Sequence, residues 1–213
     1  MWRNINKMFE DSEGMKWKSR PLDFDLMENL SDIIKYSLRT SELSKLYRQG
    51  YLNENRGRKV PFEECESIAE HTLEMAKLGH YIVNNYRSDL DLLKVLELCL
   101  YHDSHEFHSG DHPPIGDQTL KLEKENIGRH MFVEGMNNSE DMMSIMLEYE
   151  EQKTPESQFV KELDKFQMSL KAALYCIQGY ISKEDGFFAQ EKYLSDPTLL
   201  KANDDLLSLI HKA

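Results

Sequence analysis

The segment Leu96-Glu97-Leu98-Cys99-Leu100-Tyr101-His102-Asp103 ends an apolar run with two adjacent side chains that can bind a metal ion. An apolar run of this kind predicts a buried helix segment. We therefore expect His102 and Asp103 at a helix end from which water is largely excluded. Because a His-Asp pair occurs by chance in many proteins, its meaning depends on partners elsewhere in the chain.

Two such partners lie in other predicted helices. His71 ends the segment Glu66-Ser67-Ile68-Ala69-Glu70-His71, and Asp164 lies within Glu162-Leu163-Asp164-Lys165-Phe166. Neighbouring residues of a helix point about 100° apart, so the His-Asp pair can share an ion only near the end of its helix. Imidazole and carboxylate ligands together suit Mn, Fe, Co, Ni or Zn, and Mg less well. Spacing alone leaves open the alternative that His71 is a hydrogen-bonded core residue and Asp164 a solvated one.

The chain as a whole predicts an all-α fold in a single domain. Apolar residues recur at helical spacing without a strand pattern or an internal repeat, and glycine and proline are scarce. We expect residues 1–20 to form an N-terminal extension and residues 21–213 to form the helical domain. The predicted helices are two within 22–47, broken near Arg39-Thr40-Ser41, and then 64–85, 90–105, 119–135, 139–152, 154–180 and 196–211, with loops at 49–63 and 107–118.

Helical periodicity also predicts which side chains face the core. In helix 64–85, His71 falls on the same face as the apolar residues Ile68, Met75, Leu78 and Ile82. In helix 90–105, one stripe is expected to contain Leu93, Leu96, Cys99 and Asp103. Both patterns place the candidate ligands beside apolar neighbours.

Composition excludes several classes of function. The formal charge of −12 disfavours binding to polymeric nucleic acid, whose phosphates require Lys and Arg. No apolar run approaches the ~20 residues of a membrane span, and the N-terminal residues lack the apolar stretch of a signal peptide. The three scattered cysteines disfavour a disulfide framework, so we expect a reducing cytoplasm and buried thiols at Cys99 and Cys176.

Taken together, these motifs resemble the HD-domain metal-dependent phosphohydrolases, and among them the 5′-deoxynucleotidase branch. Residues 66–71 resemble that branch's ES-x-A-E/D-H segment, and residues 102–114 resemble its HD-x-x-E-x-x-x-GD-x-x-P segment. Residues 163–166 resemble its LD-K/R-F/L segment, and Arg48 lies where relatives carry an arginine followed closely by an aromatic residue. The similarity extends from about Ser44 to Tyr175.

The resemblance implies an α-helical fold with one bound divalent metal ion. It also implies a homodimer, since proteins of this family are frequently dimeric. It implies a small phosphorylated nucleotide as substrate, with hydrolysis of deoxynucleoside 5′-monophosphates to deoxynucleoside and phosphate. The residue roles that it implies are metal ligation by His71, His102, Asp103 and Asp164, phosphate binding by Arg48, catalysis by Glu106 and Asp111, and contact of Asp111 with the sugar hydroxyl.

Several features depart from the family pattern. The loop between Arg48 and Glu66 is longer than is usual and carries Arg56, Arg58 and Lys59, while Tyr51 replaces the usual Trp. The tail after residue 180 carries no family motif. The signature loop also contains three further histidines: His105, His108 and His112. We expect them to be solvent-exposed loop residues. The alternatives are that they support the metal ligands or form a second metal site.

Two other functions remain open at this point. One keeps the metal site but changes the substrate, as in an HD-type nucleoside triphosphate hydrolase or cyclic-nucleotide phosphodiesterase. The basic loop Arg56-Gly57-Arg58-Lys59 would then accommodate additional phosphates. The other is a helical interaction module with a vestigial metal site.

Overall fold

Helices form nearly all of the regular structure. The computed structural model describes residues 16–19, 22–27, 29–112 and 118–212, so the expected N-terminal extension lies almost entirely outside the described residues. Within the described residues only two isolated β-bridges occur, which confirms the all-α class. The helices are α1 (Asp32–Glu42), α2 (Ile68–Tyr86), α3 (Leu92–Tyr101), α4 (Glu106–Ser109), α5 (Gln118–Val133), α6 (Ser139–Glu151), α7 (Pro155–Ile177) and α8 (Pro197–Lys212).

The helix starts that matter for the site have clear sequence causes. Ser67 caps α2 by accepting a hydrogen bond from the backbone N–H of Glu70, whose carboxylate accepts one from the Ser67 N–H in return. Asp91 caps α3 through the N–H groups of its next turn. Thr154 caps α7, with proline in the first turn as the sequence predicts.

The region before α2 differs from the prediction. Phe24–Met27 forms a short 3-10 turn in place of a helix, and α1 continues through the expected break at Arg39-Thr40-Ser41. Arg39 is buried because its Nη1 donates to the carbonyls of Phe132 and Glu134, at 2.7 and 2.8 Å, and so satisfies the end of α5. The polar triplet that predicted a helix break therefore lies where α1 contacts the end of α5.

The core lies where α2, α3 and α7 pack together. Met75 of α2, Leu98 of α3 and Leu163 of α7 are fully buried in one cluster. Gly79 allows the close approach of α2, since a Cβ atom there would lie 3.1 Å from Val95 and 3.3 Å from the sulfur of Cys99. The three helices that carry or precede the candidate ligands thus pack closely against one another.

The expected core stripe of α3 is partly wrong. Leu93 is 66% exposed, whereas Val95 and Leu98 are fully buried. The helix ends at Tyr101 and the chain turns, so Asp103 does not share the helical phase that the stripe assumed. Cys99 is buried as expected, but Cys176 is only partly buried.

None of the described helices is both long and apolar enough to cross a lipid bilayer.

Candidate metal centre and its cavity

His71 enters the centre from the first turns of α2. The capping box of Ser67 and Glu70 fixes the start of this helix, and His71 follows directly, fully buried. The expected face is confirmed, since Ile68 and Met75 are buried on either side of it. The motif Glu66–His71 therefore begins a helix and aims an imidazole at the core.

His102 and Asp103 lie at the end of α3, and Asp164 lies in the middle of α7. The Nε2 atoms of His71 and His102 are 3.2 Å apart. Asp164 Oδ1 lies 3.4 Å from the Nε2 of His71, and Asp103 Oδ2 lies 3.2 Å from the Nε2 of His102. Donor atoms of His71, His102 and Asp164 all lie within 4.8 Å of one another. The four residues singled out from the sequence thus meet at one point.

Each imidazole is oriented by a hydrogen bond on its other nitrogen. His71 Nδ1 lies 2.7 Å from Gln167 Oε1, and His102 Nδ1 lies 2.9 Å from the carbonyl of Cys99. Both acceptors favour a proton on Nδ1, which leaves the Nε2 lone pairs directed at the centre. Two lone pairs that face each other at 3.2 Å repel unless a proton or a metal cation lies between them.

Gln167 is held in turn by two glutamates. Its amide nitrogen donates to Glu74 at 2.8 Å and to Glu66 at 3.2 Å, so its carbonyl oxygen faces His71. Lys171 neutralises both glutamates at 2.8 and 3.5 Å. Sequence reasoning missed Gln167, although it follows Asp164 by three residues on the same side of α7, which is the signal that would have found it.

The two aspartates are ionised. Burial alone would raise the pKa of Asp103, but His102 and Arg48 hold it well below its usual range. Burial would also raise the pKa of Asp164, but Lys165 and His71 lower it to well below its usual range. Burial lowers the pKa of His102, but Asp103 raises it more. The centre thus favours positive charge, and its nitrogen and oxygen donors fit a divalent cation.

Arg48 lies beside the two aspartates. Its Nη1 is 3.1 Å from Asp103 Oδ2 and its Nη2 is 3.7 Å from Asp164 Oδ1, while the side chain is 13% exposed. Burial opposes its charge, yet Asp111 and Asp103 raise its pKa well above the ordinary value. A permanent, planar cation therefore borders the centre on the side of the short turn Gln49–Leu52.

Glu106 and Asp111 complete the acidic surroundings. Burial, with Asp103 and Asp111 nearby, raises the pKa of Glu106 well above its ordinary value, so this carboxyl keeps its proton to higher pH than an exposed glutamate does. Its Oε2 is buried without a hydrogen-bond partner. Asp111 accepts a hydrogen bond from the N–H of Gln49, which ties the signature loop to the Arg48 turn. Glu106 and Asp111 thus differ in hydrogen bonding, since Asp111 accepts from a backbone N–H and one oxygen of Glu106 has no partner.

The expectation for the three extra histidines is wrong for two of them. His105 is 4% exposed and His108 is 8% exposed, and His112 is half-buried. The cause is α5, which approaches so closely at Gly128 that a Cβ atom there would lie 2.5 Å from the His105 carbonyl oxygen. Burial lowers the pKa of His105 to about 3 and that of His108 to about 4.

Comparison with known proteins identifies the family to which this chain belongs. The family model of the HD domain matches residues 41–201. The chain belongs to the HD-domain family. Its relatives include the protein named 5′-deoxynucleotidase HDDC2 of Dictyostelium discoideum, 28% identical over 156 residues that cover 68% of this chain and 78% of the relative. The protein of the same name from Danio rerio is 27% identical and covers 70% of each chain.

Solved structures support the fold of this HD-domain protein. A predicted metal-dependent phosphohydrolase from Magnetospirillum magnetotacticum superposes with a TM-score of 0.64 at 16% identity, covering 85% of this chain and 94% of that one. The resemblance to the HD-domain phosphohydrolases that the motifs predict is confirmed by the family match and by the named relatives. At this identity the structural match supports the helical architecture alone.

A cavity of about 770 Å³ opens over the metal centre of this HD-domain protein. Arg48, Asp103 and Asp164 lie in its wall, together with Glu106 and Asp111. Residues between Gly186 and Tyr193 supply another part of the wall; no motif was recognised there from the sequence, but the family model includes this segment. Residues assigned to ligand, phosphate and sugar roles by resemblance therefore share one cavity, whose volume suits a small molecule.

The basic loop behaves differently from the expectation that it receives additional phosphates. Arg58 is buried, 5% exposed, and its guanidinium donates to both carboxylate oxygens of Asp185 at 2.8 and 2.9 Å. Its charge is thus compensated within the protein. Arg56 is exposed and lines the cavity, and Lys59 is exposed without lining it.

Proposed function

We propose that this protein is a metal-dependent phosphohydrolase that removes phosphate from deoxynucleoside 5′-monophosphates. The observation that carries the proposal is the meeting of two buried imidazole nitrogens and two carboxylates beside a buried arginine, at a cavity that the carboxylates, the arginine and Glu106 line. The names of the relatives, which match two thirds or more of the chain, support this substrate class.

His71, His102, Asp103 and Asp164 are the proposed ligands of one divalent ion. Their donor set fits Mn, Fe, Co, Ni or Zn better than Mg, because two donors are nitrogens. Such an ion, when bound, supplies an activated water and offsets the charge of phosphoryl oxygens. The protein's own contribution is orientation, since Gln167 and the Cys99 carbonyl fix the two rings.

Arg48 is the proposed phosphate-binding residue. Its guanidinium carries a fixed charge and presents paired N–H donors that match two phosphate oxygens. Its present partners are the carboxylates of Asp103 and Asp164, which are the groups a divalent cation would engage. Phosphate oxygens then replace the carboxylates as acceptors for the same donors.

Glu106 is the proposed proton donor. Hydrolysis breaks the bond between phosphorus and the 5′ oxygen, and water supplies the new oxygen on phosphorus. The leaving 5′ oxygen needs a proton, which a carboxyl with a raised pKa can provide at neutral pH. Of the two roles that the sequence leaves open, proton donation and orientation of water, the raised pKa supports donation.

Asp111 is the proposed contact of the sugar. Its carboxylate lies in the cavity wall, fixed by the N–H of Gln49. A carboxylate fixed close to the sugar ring can accept a hydrogen bond from one hydroxyl, and it leaves little room for a second. Discrimination against a 2′ hydroxyl, and hence against ribonucleotides, belongs to this proposal.

A homodimer in a reducing cytoplasm completes the proposal. The buried free thiols Cys65 and Cys99 are compatible with a reducing compartment, since no disulfide is formed by the described cysteines. Light scattering coupled to size-exclusion chromatography measures the oligomeric state directly.

The deciding experiment is phosphate release by the purified chain with each of several divalent metals. Deoxynucleoside monophosphates should be hydrolysed, and His71→Ala or Asp103→Ala should abolish the activity and the bound metal together. Product analysis on triphosphates and cyclic nucleotides distinguishes the other substrates, because they yield triphosphate, diphosphate or a linear monophosphate. Activity that survives both substitutions overturns the proposal, and an inactive protein without metal indicates the interaction module.

A further inference from the structure

We propose that Arg58 and Asp185 form a clamp that positions the turn carrying Arg48, and that this clamp sets the affinity for the phosphate group. The inference rests on the proposed role of Arg48. It gives a function to the long basic loop and to the tail after residue 180, two segments that the proposed chemistry leaves unused.

The clamp joins two distant segments at the turn. Arg58 Nε and Nη2 donate to the two carboxylate oxygens of Asp185, 127 residues further along the chain. The third nitrogen, Nη1, donates to the carbonyl of Gly50, two residues after Arg48. Every nitrogen of this guanidinium is therefore committed, and one of its bonds reaches the turn itself.

Stacking fixes the orientation of the same guanidinium. Its central carbon lies 3.9 Å above the ring centroid of Phe187, and that ring lies 4.8 Å from the ring of Tyr51. The hydroxyl of Tyr51 donates to the carbonyl of Met168 in α7 at 3.0 Å. The turn is thus held from the tail, from the loop and from the helix that carries Asp164.

Stability alone is a weak reason for such a buried ion pair. Burying two charges costs desolvation that their attraction only partly offsets, and well-packed apolar residues often replace such pairs without loss of stability. What the pair supplies is direction, because a planar fork accepts one geometry at a bidentate carboxylate. Arg48 belongs to the turn that this ion pair orients. Its neighbour Gln49 is also fixed, because the Gln49 N–H donates to Asp111.

The test uses a variant that removes the clamp without leaving a buried charge. Arg58→Met with Asp185→Asn keeps apolar volume over Phe187 and retains the oxygen that accepts from the Phe187 N–H at 3.0 Å. Lys59→Met is the matched control, since Lys59 is a neighbouring exposed cation outside the cavity. All proteins are compared in the metal-loaded state.

We expect the KM for a deoxynucleoside monophosphate and the inhibition constant of inorganic phosphate to rise together by about tenfold in the clamp variant, because a shifted arginine loses its paired contact in ground state and transition state alike. The value of kcat should change by less than about threefold, and the metal affinity should stay the same. Lys59→Met should match the wild type. In an Arg48→Lys background, loss of the clamp should raise KM by less than about twofold, since the effect passes through Arg48.

Two results overturn the clamp. One is a fall in kcat and melting temperature with KM and phosphate inhibition unchanged, which is the behaviour of a purely structural pair. The other is a tenfold effect that persists in full in the Arg48→Lys background. Calorimetric titration with inorganic phosphate separates this outcome from failure of the proposed function: a wild type that neither hydrolyses nor binds phosphate rejects both, whereas equal binding by wild type and clamp variant rejects the clamp alone.

Discussion

Gln167 accepts a hydrogen bond from the ring of His71 at 2.7 Å and so connects the middle of α7 to the first turns of α2. Both side chains are fully buried, and the amide is oriented by Glu66 and Glu74 on its other side. Outer partners of this kind fix the ring and raise the basicity of the nitrogen that faces a metal. The orientation of His71 therefore depends on Gln167 and, through it, on Glu66 and Glu74.

Gln167→Met should weaken metal binding about 10- to 100-fold while the four proposed ligands stay in place. The substitution keeps the volume of the side chain and removes the acceptor of His71. Competition with a fluorescent chelator measures the affinity. Gln158→Met, at an exposed position of the same helix, is the control and should bind metal as the wild type does. Equal affinity in both variants would show that Gln167 does not orient His71.

Chelation of the metal should lower the melting temperature. Two carboxylates and two imidazole lone pairs meet in the centre, and a ligand at 100 times its Kd stabilises the folded state by about 2.7 kcal/mol. For a domain of this size that corresponds to a shift of roughly 5–10 °C. Differential scanning fluorimetry with and without added Mn measures it. The shift should disappear in His71→Ala, and a shift that remains there points to another binding site.

Glu106→Gln should lower kcat by a factor of about 10² to 10⁴, with metal content unchanged, since the amide cannot donate an acidic proton. In the proposed role the acid form is the active one, so the wild-type rate should fall as pH rises through the raised pKa of Glu106. Steady-state rates measured from about pH 6 to about pH 10 show this fall in rate at alkaline pH. Its persistence in Glu106→Gln would assign it to another group.

Acid should destabilise the fold through His108. Burial lowers the pKa of this histidine to about 4, against an unfolded value of about 6.5, so the unfolded chain binds the proton first. Stability from this residue is present above the unfolded value and is lost as pH falls toward 4. The loss between pH 7 and pH 5 is about 2 kcal/mol by linkage. Urea unfolding at the two pH values measures it, and His108→Gln should reduce the difference by about this amount, while His105, whose pKa burial lowers to about 3, keeps its own contribution.

Gly128→Ala should cost about 1–3 kcal/mol, because the added methyl group meets the His105 carbonyl at 2.5 Å and α5 must move away. The displaced turn follows directly on Asp103, so we expect kcat to fall as well. Chemical denaturation measures the stability. Gly186→Ala is a suitable comparison, since a Cβ atom there meets no atom within 4 Å.

Local patterns account for what the sequence predicted. His71 follows a capping box that lies within six residues, and Thr154-Pro155 marks the start of the helix that carries Asp164. These signals place each ligand on an element without knowledge of the partners. The family motifs then relate the elements to one another, and the structure brings the four residues together.

Features that depend on tertiary contact were not predictable. Arg58 looks like a cation of an exposed loop until Asp185 is seen beside it, and the two are 127 residues apart. His105 and His108 follow the end of a helical pattern and look solvated, but α5 covers them. Periodicity describes one element at a time, so it gives no information about what packs over a turn.

The donors of the centre come from α2, the end of α3 and α7, and the two histidines alone are 31 residues apart. A polypeptide in synthesis therefore offers no complete coordination set until α7 has been made and has docked onto the two earlier helices. If the four proposed residues hold the ion, its binding follows tertiary assembly, because no segment shorter than residues 71–164 contains all four. Metal bound by the four proposed ligands should therefore be absent from an unfolded chain, even when the ion is in excess.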